Sequence, residues 1–184
     1  MNRIAKGLLA TVFALGLANT GAQALMTKMV GGAAMYPTKN IVENAVNSKD
    51  HTTLVAAVKA AGLVDTLEGA GPFTVFAPTN AAFKKLPAGT VDGLLQPDMK
   101  GQLTSVLTYH VVPGRYTARD LDRAVQDGGG HAMLKTAEGE PLTITRKGST
   151  IWVTDAKGGV ARVTIADVMQ SNGVIHVVNK VLMP

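Results

Sequence analysis

The residues of this chain whose types could do chemistry are four histidines, three early methionines and scattered serines and carboxylates. The histidines could bind a metal ion or transfer a proton near neutral pH; they are His51, His110, His131 and His176. They lie far apart in the sequence, and none belongs to a His-x-x-x-His pair or lies at a zinc-ligand spacing from a glutamate. The spacing therefore predicts no metal site.

Three methionines could supply soft sulfur ligands for Cu(I) outside the cytoplasm; they are Met26, Met29 and Met35. The alternative is that they are adaptable apolar residues in a lead-in segment. Because their spacing specifies no coordination geometry, the second interpretation is favoured, and we expect no cofactor.

Motifs of known catalytic sites are absent from the sequence. There is no cysteine to act as a nucleophile, and neither Gly-x-Ser-x-Gly, a phosphate-binding glycine loop nor His-Glu-x-x-His occurs. The four serines stand outside any such motif; they are Ser48, Ser105, Ser149 and Ser171. A Ser-His-Asp triad assembled from remote positions stays open, but the sequence favours a protein that is not an enzyme.

The Tyr109-His110 pair lies where the clearest helical pattern meets an apolar strand. The pattern runs from Met99 to Leu107 with its apolar residues on one face, and Val111-Val112 follow the pair. A histidine among valines is more often a hydrogen-bonded core residue than a ligand, and a buried tyrosine usually makes one hydrogen bond. These neighbours favour burial of both side chains.

The elements that position these residues change type along the chain, from helical periodicity in the first half to apolar-polar alternation in the last third. Helices are predicted at 41–47, from a cap at Asp50 to Gly62, at 63–67, after Thr79 or Asn80, at 90–95, after Pro97, and from Thr117 to Gly128. Strands are predicted at 73–77, 133–136, 142–146, 151–154, 160–164 and 174–182. Helices followed by hairpins predict an α+β domain rather than alternating βαβ units.

The segment from Phe73 to Phe83 reads as a strand, a break and a helix. Alternation puts Thr74 and Phe76 on the strand face opposite to Phe73, Val75 and Ala77. Pro78 stops the strand, and Thr79 or Asn80 caps the helix that carries Phe83. Capping explains both polar residues, so we interpret them as structural residues that bond local backbone groups.

The first 24 residues are typical of a secretory signal peptide. Arg3 and Lys6 form a basic region, an apolar core of about eleven residues follows, and Ala22-Gln23-Ala24 is a small-x-small cleavage site. The core is short against the roughly 20 residues of a membrane-spanning helix. We expect cleavage after Ala24, no transmembrane segment in the mature chain, and a periplasmic or secreted protein. Residues 25–39 then form an extended lead-in to a single domain at 40–184.

The basic residues are scattered through the chain. The formal net charge is +5, but no basic run exceeds the pairs Lys84-Lys85 and Arg146-Lys147. Nucleic-acid binding needs clustered charge with stacking aromatics, and aromatic residues are only 4% of the chain. We therefore expect no nucleic-acid partner. The sequence leaves the oligomeric state open.

Two segments of the chain, with Tyr109-His110 between them, resemble the conserved blocks of the fasciclin (FAS1) domain. The first carries Phe73, Thr74, Phe76, Pro78, Thr79, Asn80 and Phe83, and the second runs from 172 to 184 with Asn172, Gly173 and His176. The resemblance implies a β-wedge or sandwich of about seven strands with a packed layer of helices. It also implies an adhesion or interaction module that is not a catalyst.

By the same resemblance, Tyr109-His110 and Asp167-Val168 lie in loops that bind a partner. Animal fasciclin domains have a Glu-Pro-Asp-Ile-Met-type segment, linked to integrin recognition, where this chain has Ile165-Ala166 before Asp167. The resemblance therefore implies a contact surface at this place in the chain, but not integrin as its partner. The structural and recognition roles of His110 are compatible if it positions an exposed loop.

The sequence supports three functional hypotheses. The favoured one is a fasciclin-type adhesion module that binds a protein or polysaccharide at the cell surface or matrix. The alternative is a periplasmic binder of a small ligand or lipid in an apolar cleft, which an unusually deep apolar pocket would favour. A hydrolase is the third, and a Ser-His pair at hydrogen-bond distance would support it.

Overall fold

A computed structural model describes residues 27–184. The predicted signal peptide and Met26 lie outside the described residues. The helices are α1 (Ile41–Ala45), α2 (Thr52–Ala61), α3 (Val64–Glu68), α4 (Asn80–Phe83), α5 (Thr90–Leu94), α6 (Lys100–Tyr109) and α7 (Ala118–Asp127). The strands are β1 (Lys28–Val30), β2 (Ala33–Met35), β3 (Phe73–Pro78), β4 (Val111–Pro113), β5 (His131–Lys135), β6 (Pro141–Lys147), β7 (Thr150–Thr154), β8 (Val160–Gln170) and β9 (Gly173–Val178).

Local capping chemistry fixes several helix ends where the sequence predicts them. The Thr117 side chain accepts a hydrogen bond from the Asp120 N–H, and the Asp120 carboxylate accepts one from the Thr117 N–H, which is a capping box. Thr79 caps α4 by accepting from the Ala82 N–H. Gly62 ends α2 in the left-handed conformation that glycine adopts without strain.

Seven strands form one mixed sheet in the order β4-β3-β9-β8-β7-β6-β5. All neighbours are antiparallel except β3 and β9, which run parallel with Phe73 opposite Gly173. Helices α1 to α6 precede the run of hairpins β5 to β9, with only α7 between β4 and β5. The predicted α+β class, with about seven strands and a packed helical layer, is confirmed.

The two faces of β3 and β9 contribute to two separate apolar cores. Val75, Ala77 and Ile175 pack against the helices α1 to α6. Phe76 and Val178, on the opposite face, pack against the inner side of β5 to β8 and against α7. As predicted, Phe76 points to the face of β3 opposite to Val75 and Ala77. The strand therefore lies between the two cores and contributes side chains to both.

The structure differs from the predictions in four places. The lead-in is not merely extended: β1 and β2 form a hairpin whose Val30 and Met35 are buried in the helix-side core. No side chain of Asp50 caps α2, whose N-cap residue is His51. The last strand ends at Val178 rather than 182. Strand β8 continues to Gln170, so Asp167-Val168 lies in a bulged strand and not in a loop.

Candidate functional site

The side chains of Tyr109 and His110 are buried, with 0% and 2% of their surface exposed. The Tyr109 hydroxyl donates to the Pro141 carbonyl at 3.0 Å and accepts from the Ala156 N–H at 2.9 Å. The pair ends α6 and is followed by β4, so it ties this helix to the β6 to β8 hairpins. Neither side chain is available on the surface for direct contact with a partner.

His110 joins its own helix to the C-terminal segment. One ring nitrogen, Nδ1, lies 2.7 Å from the Val106 carbonyl, and Nε2 accepts from the Leu182 N–H at 2.9 Å. The neutral ring with a proton on Nδ1 satisfies both contacts. Asp155 holds the same segment, because its Oδ2 accepts from the Met183 N–H at 3.1 Å.

Asp167 and His176 fix the start of α7. The Asp167 carboxylate accepts from the Ala118 N–H at 2.7 Å, and its own N–H donates to Nδ1 of His176 at 3.4 Å. Nε2 of His176 lies 2.8 Å from the Tyr116 carbonyl, and the ring stacks on Phe76 with centroids 5.7 Å apart. Asp167 has a φ of 54°, a left-handed conformation that aspartate adopts more readily than most residues.

These contacts place the predicted recognition residues at two different points of the fold, with Asp167 only half-buried. Tyr109 and His110 contact the hairpins and the C-terminal segment, whereas Asp167 contacts the start of α7. Val168 is buried in the helix-side core. The structure therefore does not bring the four residues together as one exposed patch.

The polar residues of the two sequence blocks connect distant parts of the chain. Oδ1 of Asn80 accepts from the Thr53 N–H at 3.0 Å, and Nδ2 donates to the Lys49 carbonyl at 2.8 Å. Asn80 therefore caps α2 rather than only its own helix, which corrects the predicted local role. Thr74 likewise accepts from the Tyr116 N–H and donates to the Gly114 carbonyl.

Asn172 is the most connected of these residues. Its Oδ1 accepts from the Ile41 N–H at 3.1 Å, and its Nδ2 donates to the carbonyls of Leu67 and Gly69 at 2.8 and 2.9 Å. Gly173 follows it where β3 approaches closely: a Cβ there would lie 2.1 Å from the Phe73 carbonyl oxygen. The second block therefore joins the sheet to α1 and α3.

The titration behaviour of the buried histidines is that of structural residues. Burial lowers the pKa of His110 to about 4, and the Val106 carbonyl and the Asp155 charge oppose it only in part. Burial also lowers the pKa of His176 and of His51. For Tyr109, burial raises the pKa of the phenol. Held neutral in the core, His110 is far from the pKa near the working pH that suits a general base.

A Ser-His pair does occur, between Ser48 and His51, whose Oγ and Nδ1 atoms lie 2.9 Å apart. Both residues are buried, and a Cβ on Gly31 would lie 2.4 Å from the Ser48 Oγ, so backbone covers the hydroxyl. Nε2 of His51 makes no hydrogen bond of standard geometry among the described residues, although the Ala77 carbonyl lies close enough to oppose the lowering of the ring's pKa. No carboxylate among these residues accepts a hydrogen bond from the ring. The pair lacks the access and the orienting group of a nucleophile-base unit.

An apolar cavity of about 100 Å³ lies between the helices and the sheet. Its walls come from the β1-β2 hairpin, α1, α2, α3 and the inner faces of β3, β4 and β9. Most of the lining side chains are apolar, including Val30, Leu54 and Ile175, and His51 is one of the polar ones. The sequence predicted a cleft here only as an alternative and did not single out His51.

The outward side of β5 to β8 is a second feature that the motif search missed. Burial alternates along β5 and β7, along β6 up to Thr145 and along β8 up to Thr164, with Ala132, Ile144, Val153 and Ala161 buried and their neighbours on the outward side. Trp152 lies on this outward side, and Nζ of Lys147 is 5.6 Å from its ring centroid. The signal was present in the sequence as polar residues at every second position.

Two further observations concern the part of the chain from residue 27 onward. None of its helices combines the length and the apolar character needed to cross a membrane. No group of three or more histidine, aspartate or glutamate side chains lies close enough together there to hold a metal ion.

Helices pack over a seven-stranded sheet, and the two blocks at 73–83 and 172–184 join these layers. This arrangement is that of a fasciclin domain. The family model for the fasciclin domain matches residues 49–184, and the chain belongs to that family. It is 43% identical over 180 residues to protein sll1483 of Synechocystis, covering 95% of this chain and 92% of that one.

Two other similar proteins have names that bear on function. The cell surface glycolipoprotein MPB83 of Mycobacterium bovis is 36% identical over 160 residues, which are 84% of this chain and 64% of that protein. The FAS1 domain pair of the insect cell adhesion molecule fasciclin I has the same fold, with a TM-score of 0.70 at 20% identity. That match covers 79% of this chain and 51% of the solved one.

Proposed function

We propose that this protein is a secreted or periplasmic interaction module that binds a protein or polysaccharide at the cell surface or matrix without catalysing a reaction. The observation that carries the proposal is that side chains able to act in catalysis instead form hydrogen bonds inside the protein. Tyr109, His110, Asp155 and His176 are buried and bonded to backbone groups. What remains for a partner is the surface, where binding depends on complementarity.

The family and the N-terminal segment support the same proposal. Fasciclin I is a cell adhesion molecule and MPB83 is a cell surface protein, and residues 1–24 have the pattern of an export signal. Within this proposal, Tyr109, His110, Asp167 and Val168 act indirectly. They position the C-terminal segment, the hairpins and α7, on whose outer surfaces the partner binds.

Attachment of cells tests this function. We expect cells that lack the protein to attach to their natural surface several-fold less, and the full-length gene to restore attachment. A gene without residues 1–24 should fail to restore it, because the protein would stay inside the cell. Normal attachment without the protein, in a strain shown to produce it, would remove the adhesion hypothesis.

A second candidate function, binding of a small apolar ligand, is favoured by the apolar cavity between the helices and the sheet. Its volume of about 100 Å³ approaches that of an engineered apolar cavity of roughly 150 Å³ that binds benzene. His51 lines it with 3% of its surface exposed, and Nε2 of this ring makes no hydrogen bond of standard geometry among the described residues, with the Ala77 carbonyl its near neighbour. A ligand with an aromatic body and one polar group fits this lining.

Phenol and toluene, which have similar size, test this candidate. We expect phenol to raise the melting temperature of the wild type more than toluene, because only phenol can bond with Nε2 of His51. In His51→Leu, phenol affinity should fall about fivefold to tenfold, the worth of one hydrogen bond, while toluene binding is kept. His131→Leu is the matched control, since His131 is exposed on β5. Binding of neither probe would exclude the cavity as a ligand site.

A further inference from the structure

The outward side of β5 to β8, which we term the outer face, carries a row of four aligned residues. The strand register places His131 opposite Thr145, Thr145 opposite Trp152, and Trp152 opposite Arg162. Neighbouring strands lie about 4.8 Å apart, so the row spans about 14 Å. This length matches several units of an extended polymer rather than a single small molecule.

The outer face is basic as well as polar. Lys135, Lys147 and Arg162 are exposed on it. Up to Thr164, beyond which β8 is irregular, none of the outward positions is acidic; they are His131, Met133, Lys135, Pro141, Thr143, Thr145, Lys147, Thr150, Trp152, Thr154, Val160, Arg162 and Thr164. Helix α7 packs on the opposite, inner side through Leu121 and Val125. Among residues 27–184, the helix that packs on these strands therefore leaves the outer face uncovered.

We propose that the outer face binds an extended anionic polysaccharide, which deepens the interaction function proposed above and rests on it. Trp152 is half-buried, and Nζ of Lys147 lies over its ring at 5.6 Å from the centroid. When Lys147 turns to an anionic group of the polymer, the indole offers an apolar surface for the C–H face of a sugar. Lys147 and Arg162, which is opposite Trp152 on β8, pair with carboxylate or sulfate groups of the polymer. The threonine hydroxyls between them donate to and accept from sugar hydroxyls.

Other anionic macromolecules fit the face less well. Single-stranded nucleic acid needs successive aromatic side chains for its bases, and the outer face has one indole and no other large aromatic ring. A lipid surface needs apolar side chains that insert, and the exposed apolar residues here, Met133 and Val160, stand at the two ends of a row with threonines between them. Charge complementarity with a sugar polymer is what the face provides best.

The test measures binding of the mature chain to polygalacturonate and heparin, with neutral dextran as a reference. We expect binding to both anionic polymers, weakening as salt is raised, and no binding to dextran. Lys147→Gln/Arg162→Gln should weaken binding about tenfold. Lys49→Gln/Lys84→Gln, which removes the same charge from the exposed helical side, should leave binding within about twofold. Trp152→Ala should also weaken it about tenfold, while Trp152→Phe keeps most of the affinity.

Each variant is first compared with the wild type by thermal unfolding. Only variants that fold are used to interpret a loss of binding. The proposal would be overturned if the two double charge variants lost the same amount of polymer affinity. It would also be overturned if dextran bound as well as the anionic polymers, or if neither anionic polymer bound. Binding of phosphatidylserine vesicles or single-stranded DNA with no binding of the polysaccharides would overturn it as well. If Lys147→Gln/Arg162→Gln restores attachment fully to cells lacking the protein, the adhesion function stands and this assignment of its surface falls.

Discussion

Replacing Asn172 with alanine is expected to lower the free energy of unfolding by about 3–5 kcal/mol. The substitution removes one hydrogen bond from the Ile41 N–H and two to the carbonyls of Leu67 and Gly69. A buried polar group that loses its partner costs about 1–3 kcal/mol, and Ile41 and Leu67 are themselves buried. Urea unfolding, followed by circular dichroism, measures the change.

Asn47→Ala is the matched control for this experiment. Asn47 is exposed and makes a single side-chain hydrogen bond, to the Glu43 carbonyl. Its removal should change stability by no more than about 0.5 kcal/mol, as for most surface substitutions. Similar losses for the two variants would show that Asn172 does not hold α1 and α3 to the sheet.

Acidification from pH 6.5 to 4 is expected to destabilise the protein by about 3 kcal/mol through His110 alone. In the folded state burial holds the pKa of His110 at about 4, whereas an unfolded histidine titrates near 6.5. Between these values the unfolded chain binds more protons, so stability rises with pH and is lost as pH falls. The lowered pKa values of His51 and His176 add loss of the same sign.

Urea unfolding at several pH values between 7 and 4 measures this loss. His110→Gln should be less stable at pH 7 but should lose less on acidification, because its side chain does not titrate. His131→Gln, a change at an exposed histidine, should keep the wild-type dependence. A flat profile from pH 7 to 4.5 in the wild type would contradict the burial of neutral imidazoles.

The sequence predicted those features that neighbouring residues determine. Thr117 and Gly62 lie at helix ends because a cap needs only the next few backbone groups. The alternation of Val75 and Phe76 revealed the two faces of a strand, since side-chain period follows from strand geometry alone. The family resemblance supplied the assembly of these elements, which local periodicity does not determine.

Contacts between residues far apart in the sequence could not be predicted from local patterns. Asn80 looked like a local cap but bonds Thr53, and Asn172 bonds residues of α1 and α3 that precede it by more than half the domain. The row through Trp152 depends on the register of three strand pairs. No property of an isolated segment specifies which partner atom or strand position it will meet.

The parallel pairing of β3 with β9 bears on when this chain can fold. These two strands separate the two cores, yet Phe73 pairs with Gly173, so neither core closes before the last strand is available. Contacts this distant in sequence slow folding, because the chain loses loop entropy before the pairing stabilises it. During synthesis the two cores therefore stay open until residues 173–178 have been made. This delay suits the export proposed above, because a chain whose cores are still open can cross a membrane as an extended polypeptide.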